Sequence, residues 1–236
     1  MSPTAWDPQV HAARMRAAGF WRDQTMDQLF ARAVRRVPGK TALVAYRADQ
    51  GEAAVMRLSY AELDDRVGRA AAALRGLGVG PGDVVSIQLP NWWQCVVAAM
   101  ACGRLGAVVN PLVPIFRERE LVYMLGLLQS KVLIVPQLFR GFDHARMGRA
   151  LQADCPDLRH VLVVDGEGPD DFERALLSGR ERIEAPGEGQ AGACRADEMA
   201  LIMFTSGTTG MPKGVMHSCN SLVACIDGFA DRLGLR

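Results

Sequence analysis

"KVLIVP", Lys131 to Pro136, sets four apolar residues side by side, Val132 to Val135, three of them β-branched. A strand with one wet face alternates apolar and polar residues; an unbroken run belongs to a strand buried on both faces, as in a parallel sheet covered by helices. Similar runs recur on either side. Upstream lie "DVVSIQL" (Asp83 to Leu89) and "AVVNPL" (Ala107 to Leu112); downstream lie "HVLVVD" (His160 to Asp165) and "MALIMF" (Met199 to Phe204). Helical candidates occupy the intervals near 91–105, 117–129, 140–153 and 170–178. Alternation of this kind predicts βαβ units, so the fold class is α/β, a mostly parallel sheet with helices on both faces.

Toward the amino terminus the pattern changes. "TALVAY" (Thr41 to Tyr46) and "VMRLSY" (Val55 to Tyr60) flank the turn signal Asp49-Gln50-Gly51, which predicts a β-hairpin. Ser59 and Glu62 have capping-box spacing, and Leu63, Val67, Ala70, Leu74 and Leu77 share one face of the helix that follows. Gly78, Gly80, Pro81 and Gly82 stop it. Residues 1–40 form an N-terminal helical segment ahead of a domain that fills 41–236. The polar passage "SGRERIEAPGEGQAGACR", Ser178 to Arg195, predicts a linker or mobile loop. A last helix begins near Asn220, with Leu222, Cys225, Ile226, Phe229 and Leu233 on its apolar side.

Bulk properties narrow the partners. With 27 basic and 26 acidic residues the net charge is +1, so no basic field draws the chain to nucleic acid, and small molecules are the expected ligands. The most apolar segment, Trp92 to Val109, is broken by Gln94, Gly103, Arg104 and Gly106. An arginine is costly in a bilayer core, so this segment predicts a buried helix running into a strand and no membrane span. Six cysteines without a CxxC pair or a histidine-rich companion predict reduced thiols, a cytoplasmic setting and no metal centre.

The chemistry is concentrated in "FTSGTTGMPKGVMHS", Phe204 to Ser218. Glycines let backbone amides converge on an anion, threonine and serine add short hydroxyl donors, and a lysine adds a full charge. Thr205, Ser206, Gly207, Thr208, Thr209, Gly210 and Lys213 supply all of these just beyond a buried strand, where open α/β sheets bind ligands. Spacing excludes three rivals. A GxxxxGK[ST] loop needs glycine where Pro212 stands; a GxSxG elbow needs glycine at Phe204 and Thr208; a GxGxxG fingerprint needs glycine at Thr205.

"FTSGTTGMPKGV" resembles the phosphate-binding signature of the AMP-forming adenylate-forming enzymes, which include acyl-CoA synthetases and peptide-synthetase adenylation domains. "LSYAEL" (Leu58 to Leu63) and "CGRLGAVVNPLVP" (Cys102 to Pro114) resemble further family segments. "NPLVPIFRERELVYML" and "SKVLIVPQLFRGFDH" are most similar to synthetases for medium-chain or alicyclic acids, such as cyclohexanecarboxylate-CoA ligase.

The resemblance implies ATP, Mg2+ and coenzyme A as co-substrates and a small carboxylic acid as the group activated. It assigns Thr205 to Gly210 to a phosphate cradle and gives Lys213 a catalytic, charge-supplying role. It leaves His217 a weaker place beside the acyl pocket, because relatives carry their histidine where Cys219 stands. It also implies that a typical relative continues well past Arg236 into parts that complete the active site. The chain is then expected to be an N-terminal portion, with a separately encoded partner chain as one way to complete it. The alternatives are a non-catalytic remnant that at most binds nucleotide, and an adenylation domain that loads a carrier protein.

Overall fold

A computed structural model of the protein describes residues 7–47, 55–187, 190, 192–205 and 211–235. Two helices, α1 (Pro8–Ala17) and α2 (Met26–Arg36), lead into the antiparallel pair β1 (Thr41–Tyr46) and β2 (Val55–Ser59). The expected hairpin is present; its turn signal, Asp49 to Gly51, lies outside the described residues. The helix α3 (Tyr60–Gly76) opens on the capping box. Glu62 N–H donates to the Ser59 hydroxyl at 3.3 Å, and Ser59 N–H donates to the Glu62 carboxylate at 2.8 Å. Two otherwise orphaned amides are thereby satisfied. Leu63, Val67, Ala70 and Leu74 are buried, as their shared face requires.

Strand and helix then alternate as β3 (Val84–Ile87), α4 (Trp93–Leu105), β4 (Val108–Pro111), α5 (Glu118–Leu128) and β5 (Val132–Pro136). A small ribbon of β6 (Leu138–Phe139) and β7 (Phe142–Asp143) precedes α6 (His144–Leu151), β8 (His160–Val164) and α7 (Phe172–Leu177). The remaining described elements are β9 (Met199–Thr205), β10 (Lys213–Ser218) and α8 (Cys219–Leu233). Six strands make one sheet in the order β10-β9-β4-β3-β5-β8. The five from β9 to β8 are parallel, and β10 lies antiparallel on the edge.

The opening run "KVLIVP" shows why its residues are uniformly apolar. Val132 and Ile134 pack into the layer containing α3, α4 and α7, while Leu133 and Val135 pack into the layer containing α5 and α6. Each such burial contributes about 1.5–3 kcal/mol, so replacing any of the four with a polar residue forfeits core on one face or the other.

The segment Trp92 to Val109 is the buried helix and strand that its broken polarity predicts. Gly106 ends α4 in the left-handed region at φ 70°. A Cβ there would stand 2.8 Å from the Ala193 carbonyl oxygen, so the later chain passes over this point too closely for any side chain.

The passage from 178 to 195 departs from the linker expectation. Its described part is docked as a strap: Ile183 N–H donates to the Gly68 carbonyl at 2.9 Å, and Arg104 donates to the Ile183 carbonyl at 3.3 Å. Arg182 pairs with Asp64 and Glu184, so charges that suggested solvation serve as tertiary anchors. The strand that follows the strap, β9, joins the same sheet as the earlier strands.

The last helix forms where expected but turns little of its apolar side inward. Cys219, Asn220 and Val223 are buried, whereas Ile226, Phe229 and Leu233 are 49%, 64% and 56% exposed. No helix among the described residues is long and apolar enough to cross a membrane.

Candidate functional site

The hydroxyl- and glycine-rich motif is carried by the β9–β10 hairpin. Leu201 of β9 lies opposite Val109 of β4, and β4 ends two residues later at Pro111 while β9 continues to Thr205. At about 3.3 Å per residue, the hairpin overhangs its neighbour by about 7 Å. Thr205, the last described residue of β9 before the hairpin's tip, therefore stands beyond the carboxyl end of β4, on the side of the sheet where such folds take ligands.

Thr205 and Lys213 face each other across the base of that tip. The Thr205 hydroxyl donates to the Lys213 carbonyl at 3.5 Å, and both residues are exposed. Among the described residues the Lys213 ammonium enters no ion pair. Lys131, by contrast, is committed to the Asp83 carboxylate at 2.7 Å and to the Gly78 carbonyl at 3.3 Å. Lys213 is thus a cation available to an incoming anion. Gly214 lies opposite Phe204 with Ile202 close by, where an added Cβ would come within 3.1 Å of the Ile202 side chain.

Ser206, Gly207, Thr208, Thr209 and Gly210 lie outside the described residues. Of the expected cradle, the structure places its two flanks, Thr205 and Lys213. His217 is at the other end of β10, opposite Leu201 and four residues from Lys213, about 13 Å along the strand. Its Nδ1 lies 3.5 Å from the Ser221 hydroxyl, so the histidine is engaged with the start of α8 rather than with the tip.

An apolar cavity of about 470 Å3 sits at this lower end, bordered by Phe30, Met100, Leu201, Leu222 and Cys219, with Asp27 at its wall. Its described lining includes neither Thr205 nor Lys213. Among the described residues no group of His, Cys, Asp and Glu could hold a metal ion, so no residue is assigned to Mg2+.

Two features escaped the sequence reading. The strand β10 has the residues Lys213 to Ser218, with Met216 72% exposed, and an exposed edge strand lacks the apolar run that marked the buried ones. Cys194 and Cys219 meet although they are 25 positions apart and follow no spacing rule.

The AMP-binding enzyme family matches residues 30–235. The salicyl-AMP ligase / salicyl-S-ArCP synthetase of Mycobacterium tuberculosis is 40% identical over 87% of the chain, which covers 35% of that relative. The medium-chain fatty-acid–CoA ligase of Escherichia coli is 32% identical over 94% of the chain, which covers 38% of the relative. The apo structure of Mycobacterium smegmatis MbtA superposes with a TM-score of 0.77 at 32% identity, covering 92% of this chain and 38% of that one. The chain therefore spans well under half the length of the relatives it matches. Family match, parallel sheet and overhanging hairpin agree, and the chain belongs to the AMP-binding enzyme family.

Proposed function

We propose that this chain supplies the phosphate-binding hairpin of an ATP-dependent ligase that activates a medium-chain or alicyclic carboxylic acid and passes it to coenzyme A. The observation that supports the reading is the pairing of Thr205 with Lys213 beyond the carboxyl end of β4. A carboxylate is a poor electrophile until one of its oxygens belongs to a good leaving group. Bound ATP supplies that group, as an acyl-adenylate with release of pyrophosphate, and a thiol then displaces AMP.

The residues of this chain act on charge and position. Negative charge grows on the departing phosphates, and fixed donors aimed at them lower the barrier because they need no reorganisation. Lys213 brings a cation, Thr205 a hydroxyl, and Ser206 to Gly210 the hydroxyls and amides between them. Mg2+ travels with the nucleotide in this reading, without an assigned protein ligand.

Loading of a carrier protein is the second reading, favoured by the 40% identity to a salicyl-S-ArCP synthetase. Exchange of labelled pyrophosphate into ATP, run on the enzyme containing this chain with medium-chain, alicyclic and aromatic acids, tests the substrate. Exchange with aromatic acids alone refutes the medium-chain or alicyclic assignment. Coenzyme A and a phosphopantetheinyl carrier protein are then compared as acceptors. Direct titration of the 236-residue chain with ATP tests the hairpin itself, and binding unaffected by Lys213→Ala overturns its role.

A further inference from the structure

We propose that Cys194 and Cys219 are a redox-modification site, a pair of thiols that closes into a reversible disulfide when a hydroperoxide reaches it. Their sulfur atoms are 3.6 Å apart, and the two residues are only 7% and 3% exposed. Among the described residues the remaining four cysteines show no such pairing: Cys95 is half-buried, Cys102 and Cys155 are buried, and Cys225 is exposed.

The two backbones are already held together. Asn220, next to Cys219, donates its N–H to the Ala196 carbonyl at 2.9 Å and its side-chain amide to Asp197 at 2.8 Å. On the other side, Ala193 is packed against Gly106 of the α4 cap. Approach of the sulfurs from 3.6 Å to bonding distance therefore calls for side-chain adjustment on segments that are fixed at both flanks. Little further chain entropy is lost on closure.

Chemistry and access favour Cys219 as the attacking thiol. It begins α8, where the helix terminus favours a thiolate, and its contact with the Cys194 sulfur, aided by the Met26 amide, lowers its pKa against the opposing effect of burial. Cys102, wholly buried, is pushed up to about 12 by desolvation that a backbone hydrogen bond only partly offsets. Cys219 also lines the cavity of about 470 Å3, which gives a small oxidant a route that its low exposure alone would not suggest.

The reaction balances with hydrogen peroxide or an organic hydroperoxide as oxidant. The Cys219 thiolate attacks a peroxide oxygen, the O–O bond breaks, and the departing oxygen takes a proton to leave as water or an alcohol. The resulting Cys219 sulfenic acid is attacked by the Cys194 sulfur; the S–O bond breaks and hydroxide leaves as water with the Cys194 proton. Two thiols lose two electrons and two protons in all.

Position gives the bond a structural effect. Cys194 precedes β9 and Cys219 follows β10, so the disulfide would close a covalent loop around the whole hairpin that carries Thr205 and Lys213. The inference does not depend on what that hairpin binds.

The test treats the folded 236-residue chain with hydrogen peroxide, blocks remaining thiols by alkylation, and maps peptides without reduction. The expected result is a Cys194–Cys219 cross-linked peptide lighter by two hydrogens, lost on treatment with dithiothreitol and absent in Cys194→Ser. If the wild-type chain instead gives Cys219 sulfinic acid without a cross-link, links through Cys225, or the bond only after denaturation, the proposal is overturned. Because the decisive reading is made on the wild-type chain, it stands even if a serine variant folds poorly.

Discussion

Arg104 donates through Nη2 to Asp64 at 2.8 Å, and it does so from a side chain only 1% exposed. The same guanidinium donates to Asp27 through Nε at 3.1 Å and Nη2 at 3.0 Å, and through Nη1 to the Ile183 carbonyl at 3.3 Å. One buried cation thus joins α2, α3, α4 and the strap. Removing one partner of a buried pair leaves an uncompensated charge, which costs about 3–5 kcal/mol. Arg104→Ala should therefore lower the unfolding free energy by an amount in that range, read as a sharp fall in the urea midpoint.

Asp27→Asn should be milder than Arg104→Ala. Burial is the largest influence on Asp27 and raises its pKa, with Arg104 acting in the opposite sense. A neutral amide relieves that desolvation, and Asp64 still faces Arg104. Denaturation curves of both variants at neutral pH check the order; an Asp27→Asn loss as large as that of Arg104→Ala would show that the Asp27 charge is indispensable.

What could be read in the sequence was what depends on neighbours in the chain. Val132 to Val135 announced a strand covered on both faces, and Ser59 with Glu62 announced a helix start, because burial pattern and capping are local properties. The strap misled because Arg182 finds Asp64 only after folding brings residues 118 positions apart together. Arg104 weakened the case for a membrane helix, yet its two aspartates could not be named from spacing. The cradle expectation came from glycines, hydroxyls and a lysine in one short run, and of it the structure places only the flanks, Thr205 and Lys213. The place of His217, at the far end of β10, required the strand register.

His144 makes stability depend on pH. Its ring is fully buried between Phe139 and Phe142, with centroids 6.4 and 5.0 Å away, and neither ring nitrogen has a hydrogen-bond partner among the described residues. Burial first, and then the Arg117 charge, lowers its pKa below the ordinary 6.5. The unfolded chain accordingly takes up a proton near pH 6.5 that the native chain refuses until lower pH. This contribution favours the native state above that value and fades as pH falls through it toward the folded value. The expected slope is at most about 1.4 kcal/mol per pH unit for one proton. Urea midpoints between pH 7 and 5 should fall for the wild type and fall less for His144→Phe.

The edge of the sheet has its own consequence. Met203, Val215 and Met216 are 44%, 41% and 72% exposed on the β9–β10 hairpin, and an apolar edge strand is a template for pairing with another chain. Met216→Glu should reduce self-association of the 236-residue chain in sedimentation experiments while leaving its melting temperature nearly unchanged. A matching fall in melting temperature would mean that Met216 supports the hairpin instead of merely being exposed on it.

Lys213 separates binding from folding. Its side chain is exposed and makes no ion pair among the described residues, so Lys213→Ala should leave thermal stability within experimental scatter. A charge-assisted contact to phosphate contributes about 1.5–3 kcal/mol, so ATP affinity should fall by about 10- to 160-fold. Thr205→Val removes a hydroxyl that otherwise donates to the Lys213 carbonyl at the base of the tip, and its effect should be smaller. Because these two residues are cross-strand partners, the double variant should lose less affinity than the two single losses combined if Thr205 acts mainly by positioning Lys213. Additive losses would mean that the hydroxyl meets the phosphate on its own account.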